Sequence, residues 1–97
     1  MKLRFTPRAT QDLASIAACI REQNPPAALR VRAAILESLQ SLVLFPHIGR
    51  QQKVEGVRKL VTQRYRYLVY YTADDAAEEI VILAIQHPAH EREHSDA

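Results

Sequence analysis

Phe45-Pro46-His47-Ile48-Gly49 is where this 97-residue chain changes its period. Proline has no backbone donor and turns the residue before it away from helix, so Phe45-Pro46 ends any helix that reaches it. Upstream, Ala28, Val31, Ile35, Leu39 and Leu42 recur at three- and four-residue intervals, the apolar stripe of an amphipathic helix running to about Leu44. Downstream, a polar loop runs to about Gly56. Beyond it Val57-Arg58-Lys59-Leu60-Val61, Tyr67-Leu68-Val69-Tyr70-Tyr71 and Ile80-Val81-Ile82-Leu83-Ala84-Ile85 are rich in β-branched and aromatic residues, as strands are. The chain leading into the break is helical, and the chain after it is sheet.

Moving outward, Asn24-Pro25-Pro26 closes one helix and caps the next, with Asn24 as N-cap. The earlier helix carries Ala9, Leu13, Ile16, Ala17 and Ile20 on one face and starts at Thr6-Pro7, an N-cap followed by proline at the first helical position. Two helices joined so tightly pack as an antiparallel hairpin. Lys2-Leu3-Arg4-Phe5-Thr6 alternates like a half-buried strand, one that must add at a sheet edge. The predicted fold is two-layer α+β in the order β-α-α-β-β-β, with the helical hairpin on one face of a small antiparallel sheet. A single domain is expected over residues 1–92, with a charged, frayed tail at 93–97. Six consecutive apolar residues in the last strand imply burial on both faces, or burial of the second face by a partner. The back of the sheet and the outer helix face would stay uncovered, with Val43, Leu44, Tyr70 and Val81 as apolar groups there; such patches usually mark a partner site.

Composition sets the outer limits. With 47% hydrophobic and 25% charged residues the chain is globular rather than disordered. No run approaches the roughly 20 apolar residues of a membrane span, and Met1-Lys2-Leu3-Arg4-Phe5 lacks the apolar core of a signal peptide. One cysteine, Cys19, makes no internal disulfide, so a cytoplasmic protein without a membrane partner is expected. Between Arg50 and Arg66 six basic residues (Arg50, Lys53, Arg58, Lys59, Arg64, Arg66) face the single acid Glu55, whereas acids dominate from Asp74 onward. A basic block of this kind marks either a surface for a target or ordinary solvated charge. Arg58 and Lys59 fall on opposite strand faces, so at most one of them joins any single patch.

Several motifs spread along the chain now acquire a joint meaning. They are Phe5-Thr6-Pro7 leading to Ala9-x-x-Asp12-Leu13-x-x-Ile16, Pro26-Ala27-Ala28, Leu42-x-x-Phe45-Pro46-x-x-Gly49-Arg50 and Gly56-Val57-Arg58-Lys59-Leu60. Tyr65-Arg66-Tyr67-Leu68-Val69-Tyr70-Tyr71 and Ile82-Leu83-Ala84-Ile85-x-His87 complete the set. In this order and spacing the chain resembles the ParE/RelE superfamily of type II toxins over nearly all of residues 2–92. The resemblance implies a growth-arresting toxin silenced by a cognate antitoxin, with Val43, Leu44, Tyr70 and Val81 as antitoxin-binding candidates. RelE-type members cut messenger RNA on the ribosome, whereas ParE-type members poison DNA gyrase without a known catalytic residue of their own; a third reading is an inactive module that keeps the fold and antitoxin binding but has lost its target. A ribonuclease here would draw on Arg58, Arg66 and His87, since RNA cleavage needs proton transfer and cationic charge at the phosphate. However, Tyr67 rather than an arginine precedes Leu68-Val69-Tyr70, and the one-residue offset turns Arg66 to the other face. The end of the chain also lacks a tyrosine. The resemblance is therefore closer to ParE, with Arg50, Lys53, Arg58, Lys59, Arg64 and Arg66 as target-binding candidates. It implies no cofactor, no metal and no small-molecule substrate.

Other chemistry finds less support. His87-x-x-His90-x-x-x-His94 has spacing for zinc on a helix, but Pro88 interrupts it and no further ligand cluster completes the site. Cys19 reads as a small packed residue. Tyr67 and Tyr71 share one strand face, so core packing accounts for them.

Overall fold

The computed structural model describes residues 1–87. The expected domain end at residue 92, the tail at 93–97 and the histidines His90 and His94 lie outside the described residues. The elements are β1 (Lys2–Phe5), α1 (Pro7–Gln23), α2 (Pro25–Leu44), β2 (Arg50–Gln51), β3 (Val57–Val61), β4 (Leu68–Asp74) and β5 (Glu79–Gln86). The helix boundaries follow from their caps. Thr6 accepts a hydrogen bond from the Ala9 amide at 3.0 Å, with Pro7 beginning α1. Asn24 donates its amide to the Ile20 carbonyl at 2.7 Å, closing α1, and its side chain accepts from Ala27 at 3.3 Å, opening α2. A single residue thus turns the hairpin.

The sheet has five strands in the order β1-β5-β4-β3-β2, so the two-layer α+β reading holds with two differences. First, β1 pairs parallel to β5, with Lys2 opposite Glu79 and Phe5 opposite Ile82, which makes the sheet mixed rather than wholly antiparallel. Second, the polar loop contains a further strand: β2 folds back on β3 and occupies that edge, with Arg50 opposite Lys59. The outer edge of β5 is the one left for β1.

Register decides which residues meet the helices. Directly paired residues share a face, so Tyr71, Val69, Leu60 and Arg58 point to the helical layer, as do Ile80, Ile82 and Ile85. They pack with Ala9, Val31, Ile35, Leu39 and Leu42 into one core. Fully burying each of its larger side chains contributes about 1.5–3 kcal/mol.

A bulge explains the apolar run in β5. Tyr70 pairs with Ala84 but Tyr71 with Ile82, leaving Leu83 as the extra residue. The core positions are therefore spaced by two and then by three, and six apolar residues serve both faces. Past Ile82, where the pairing with β1 ends, α1 and its N-cap supply partners to β5: the Thr6 hydroxyl donates to the Leu83 carbonyl at 2.9 Å, and the Ile85 amide donates to Asp12 at 3.0 Å. Thr6-Pro7 and Asp12 thus fix where α1 sits on the sheet.

Candidate functional site

Three surfaces are built around β3 and the segments that flank it. The first is the loop from α2 into β2. The Tyr71 hydroxyl donates to the Pro46 carbonyl and accepts from the Gly49 amide, both at 2.9 Å. Arg58, directly opposite Tyr71 in the sheet, donates to the carbonyls of Gly49 at 2.8 Å and His47 at 3.1 Å. The loop is latched down by two neighbouring side chains. Gly49 is buried against that latch, and a Cβ there would sit 2.6 Å from the Tyr71 hydroxyl oxygen and 3.0 Å from the Lys59 carbonyl oxygen. Space, rather than backbone conformation, requires glycine. Burial pushes the Tyr71 phenol above its ordinary pKa of 10.0, opposed by the Gly49 hydrogen bond and the Arg58 charge. Gly56, at φ 82°, has open space around it and answers a conformational need in the β2–β3 turn.

The second surface is the β3–β4 turn at the opposite end of β4 from its acidic turn. Thr62 is buried and organises it. Its hydroxyl donates to the Arg64 carbonyl at 2.6 Å and accepts from the Tyr67 amide at 2.9 Å, while its own amide bonds the Tyr67 carbonyl at 2.9 Å. Within this clasp Tyr65 and Arg66 hold φ of 65° and 52°, left-handed conformations ordinarily left to glycine. Each costs on the order of 1–3 kcal/mol and persists where the surroundings impose it. Gln63, Arg64, Tyr65 and Arg66 are all exposed. Below the turn Tyr67 meets His87 edge to face, with ring centroids 5.5 Å apart.

The third surface is an open groove of about 630 Å³ between α2 and β3, lined by Ser38 and Ser41 of α2, Phe45 and Ile48 of the latched loop, and Leu60 and Val61 of β3. Small residues on one stripe of α2 leave the room, and apolar ones fill the far wall. Phe45 is 61% exposed, Ile48 56% and Val61 42%. Gln63 and Arg64 close the groove at its end, where it reaches the β3–β4 turn.

The six basic candidates do not form one patch. Arg64 and Arg66 share the β3–β4 turn, whereas Lys53 lies in the loop at the other end of β3. Arg50 and Lys59 face each other on the helix-free side of the sheet. Arg58 is on the helical side and holds the loop. Of the ribonuclease candidates, Arg66 and His87 share one end of the sheet. Arg58 lies three positions along β3 from the Val61–Leu68 pair, roughly 10 Å away at a strand's rise. The four apolar candidates also divide: half-buried Val43 and exposed Leu44 end α2, and half-buried Tyr70 and Val81 lie behind the sheet. Behind the sheet Leu68 and Ala84 are buried. The groove is not legible in the sequence because Phe45-Pro46-x-Ile48 reads as a helix stop and a loop, and nothing local brings it beside Leu60 and Val61. Cys19 is exposed on α1 rather than packed. No helix among the described residues is long and apolar enough to cross a membrane.

This arrangement has known relatives. A chain of the chromosomal ParDE toxin–antitoxin system from P. aeruginosa superposes with a TM-score of 0.77 at 30% identity, covering 90% of this chain and 95% of the other. The RelBE2 toxin–antitoxin complex of Mycobacterium tuberculosis contains a chain similar at a TM-score of 0.65 and 28% identity, over 89% of this chain and 95% of that one. The candidate toxin Y4kP of Sinorhizobium fredii (strain NBRC 101917 / NGR234) is 32% identical over 91 residues, 94% of this chain and 91% of Y4kP. Residues 3–92 match the model of the ParE toxin of type II toxin–antitoxin systems (parDE), and the chain belongs to that family.

Proposed function

We propose that this type II toxin acts in the cytoplasm as ParE-type toxins do, by binding and inhibiting DNA gyrase, and that a cognate antitoxin neutralises it by direct contact. The observation that supports binding over RNA cleavage is the dispersal of the cationic candidates. Arg58 has its guanidinium on two loop carbonyls and stands roughly 10 Å along the sheet from the end that carries Arg66 and His87. Phosphate chemistry needs its charged groups converging on one reacting centre. A binding protein has no such requirement, and an exposed turn with an open groove beside it suits contact with another protein.

For the antitoxin, the groove between α2 and β3 is the better surface than the back of the sheet. Its apolar wall of Phe45, Ile48, Leu60 and Val61 fits the apolar stripe of an amphipathic helix, and Glu37, Gln63 and Arg64 supply a polar rim. Expression in a bacterial host tests the target. SOS induction with gyrase-linked DNA breaks is the expected result. Codon-specific cuts in messenger RNA without DNA breaks would replace this reading with a ribosome-dependent ribonuclease.

A further inference from the structure

We propose that the β3–β4 turn is the element that meets the target, with Tyr65 entering a pocket of the target protein and Arg64 and Arg66 pairing with carboxylates at its rim. This rests on the reading above that the target is a protein. Tyr65 and Arg66 occupy two consecutive left-handed positions where glycine or asparagine would cost less. Nothing in the core requires a tyrosine at position 65, which is 47% exposed. The strained pair is nevertheless fixed from below by a buried threonine making three hydrogen bonds. A rigid, exposed Arg-Tyr-Arg tip is the composition of an interface hot spot, and its fixed shape lowers the entropy lost on docking.

The partner's chemistry follows from charge. No acid occurs from Gly56 to Ala73, and the carboxylates of Asp74, Asp75, Glu78 and Glu79 sit at the far end of β4. Arg64 and Arg66 give the tip two cations against one nearby acid, Glu37 of α2, which lines the groove beside Arg64, so the tip keeps a positive excess that suits an acidic surface. Nucleic acid fits less well, because backbone recognition needs a track of several cations. Arg50 and Lys59 lie behind the sheet, Lys53 lies at its other end, and Arg58 is on the helical face.

The test separates fold from contact. Tyr65→Gly removes the phenol while supplying the residue that the backbone angle favours, so its thermal midpoint should equal or exceed the parent's. Growth arrest is read first, since it presupposes no target. Tyr65→Gly and the double variant Arg64→Ala/Arg66→Ala should need at least about tenfold more protein to arrest growth, the scale of a lost hot spot. Arrest at parental levels overturns the proposal, and so does a lowered midpoint in Tyr65→Gly, which would make the tyrosine structural. Purified parent is then titrated against gyrase. If the parent arrests growth without binding gyrase, the gyrase reading fails while the turn is still judged by the arrest series. A short single-stranded DNA oligonucleotide is the control ligand. Tight binding to it that the same substitutions abolish would overturn the assignment to a protein partner.

Discussion

The loop at 45–50 and the turn at 62–67 are both fastened by a side chain with a hydroxyl, and they use it in opposite ways. Tyr71 reaches from the core to hold its loop down through the Pro46 carbonyl and the Gly49 amide, so Gly49 is buried and Arg58 is drawn onto the neighbouring carbonyls of His47 and Gly49. Thr62 holds its turn by the base, so that Tyr65 and Arg66 stand out in conformations that cost energy. Polar bonds around Tyr71 add stability; those around Thr62 sustain strain. Backbone strain that is imposed from outside and carries exposed side chains points to function, whereas a relaxed and buried loop points to architecture.

Breaking the latch should produce the largest effects. Tyr71→Ala empties a fully buried aromatic site and is expected to cost about 3–5 kcal/mol, enough to unfold much of so small a domain, as denaturant titration would report. Gly49→Ala places a methyl group against the fixed Tyr71 ring and the Lys59 carbonyl, with an expected loss of about 1–3 kcal/mol in the same measurement. Arg58→Gln removes two charge-assisted bonds at a half-buried site and should cost about 1 kcal/mol. If it instead abolished growth arrest with the thermal midpoint unchanged, Arg58 would belong to the target chemistry and the contrast would fail.

The smallest expected effect is on pH dependence. Burial raises the pKa of Tyr71, and of Tyr67, above 10.0, so the folded state holds these protons more tightly than the unfolded chain. Their contribution is complete below pH 10 and is lost as the pH rises through the folded-state values. Chemical denaturation between pH 9 and 11 should show stability falling at the alkaline end (a window set by the 10.0 reference value), with a shallower fall in Tyr71→Phe.

Much of this fold is legible in the sequence because its signals are local. Thr6-Pro7 and Asn24-Pro25-Pro26 mark three helix ends by cap chemistry alone, and the change of period after Phe45-Pro46 separates hairpin from sheet. What stays hidden depends on distant partners. A two-residue strand such as Arg50–Gln51 has no period, and the parallel pairing of Lys2–Phe5 is decided by which edge remains open. The bulge at Leu83 counterfeits a strand buried equally on both faces. At the candidate sites, Arg58 reads as a free cation until the carbonyls of His47 and Gly49 are brought to it across the loop. Tyr65 and Arg66 give no turn signal, since left-handed positions are announced by glycine or asparagine and these are neither.

Thermal unfolding of Tyr71→Phe and Tyr65→Gly, run side by side, tests the contrast most directly. Tyr71→Phe leaves the Gly49 amide without its acceptor and should lower the midpoint by roughly 4–8 °C for each kcal/mol lost. Tyr65→Gly should leave the midpoint unchanged or raise it. Two decreases of similar size would mean that loop and turn serve the same architectural purpose, and would contradict the account.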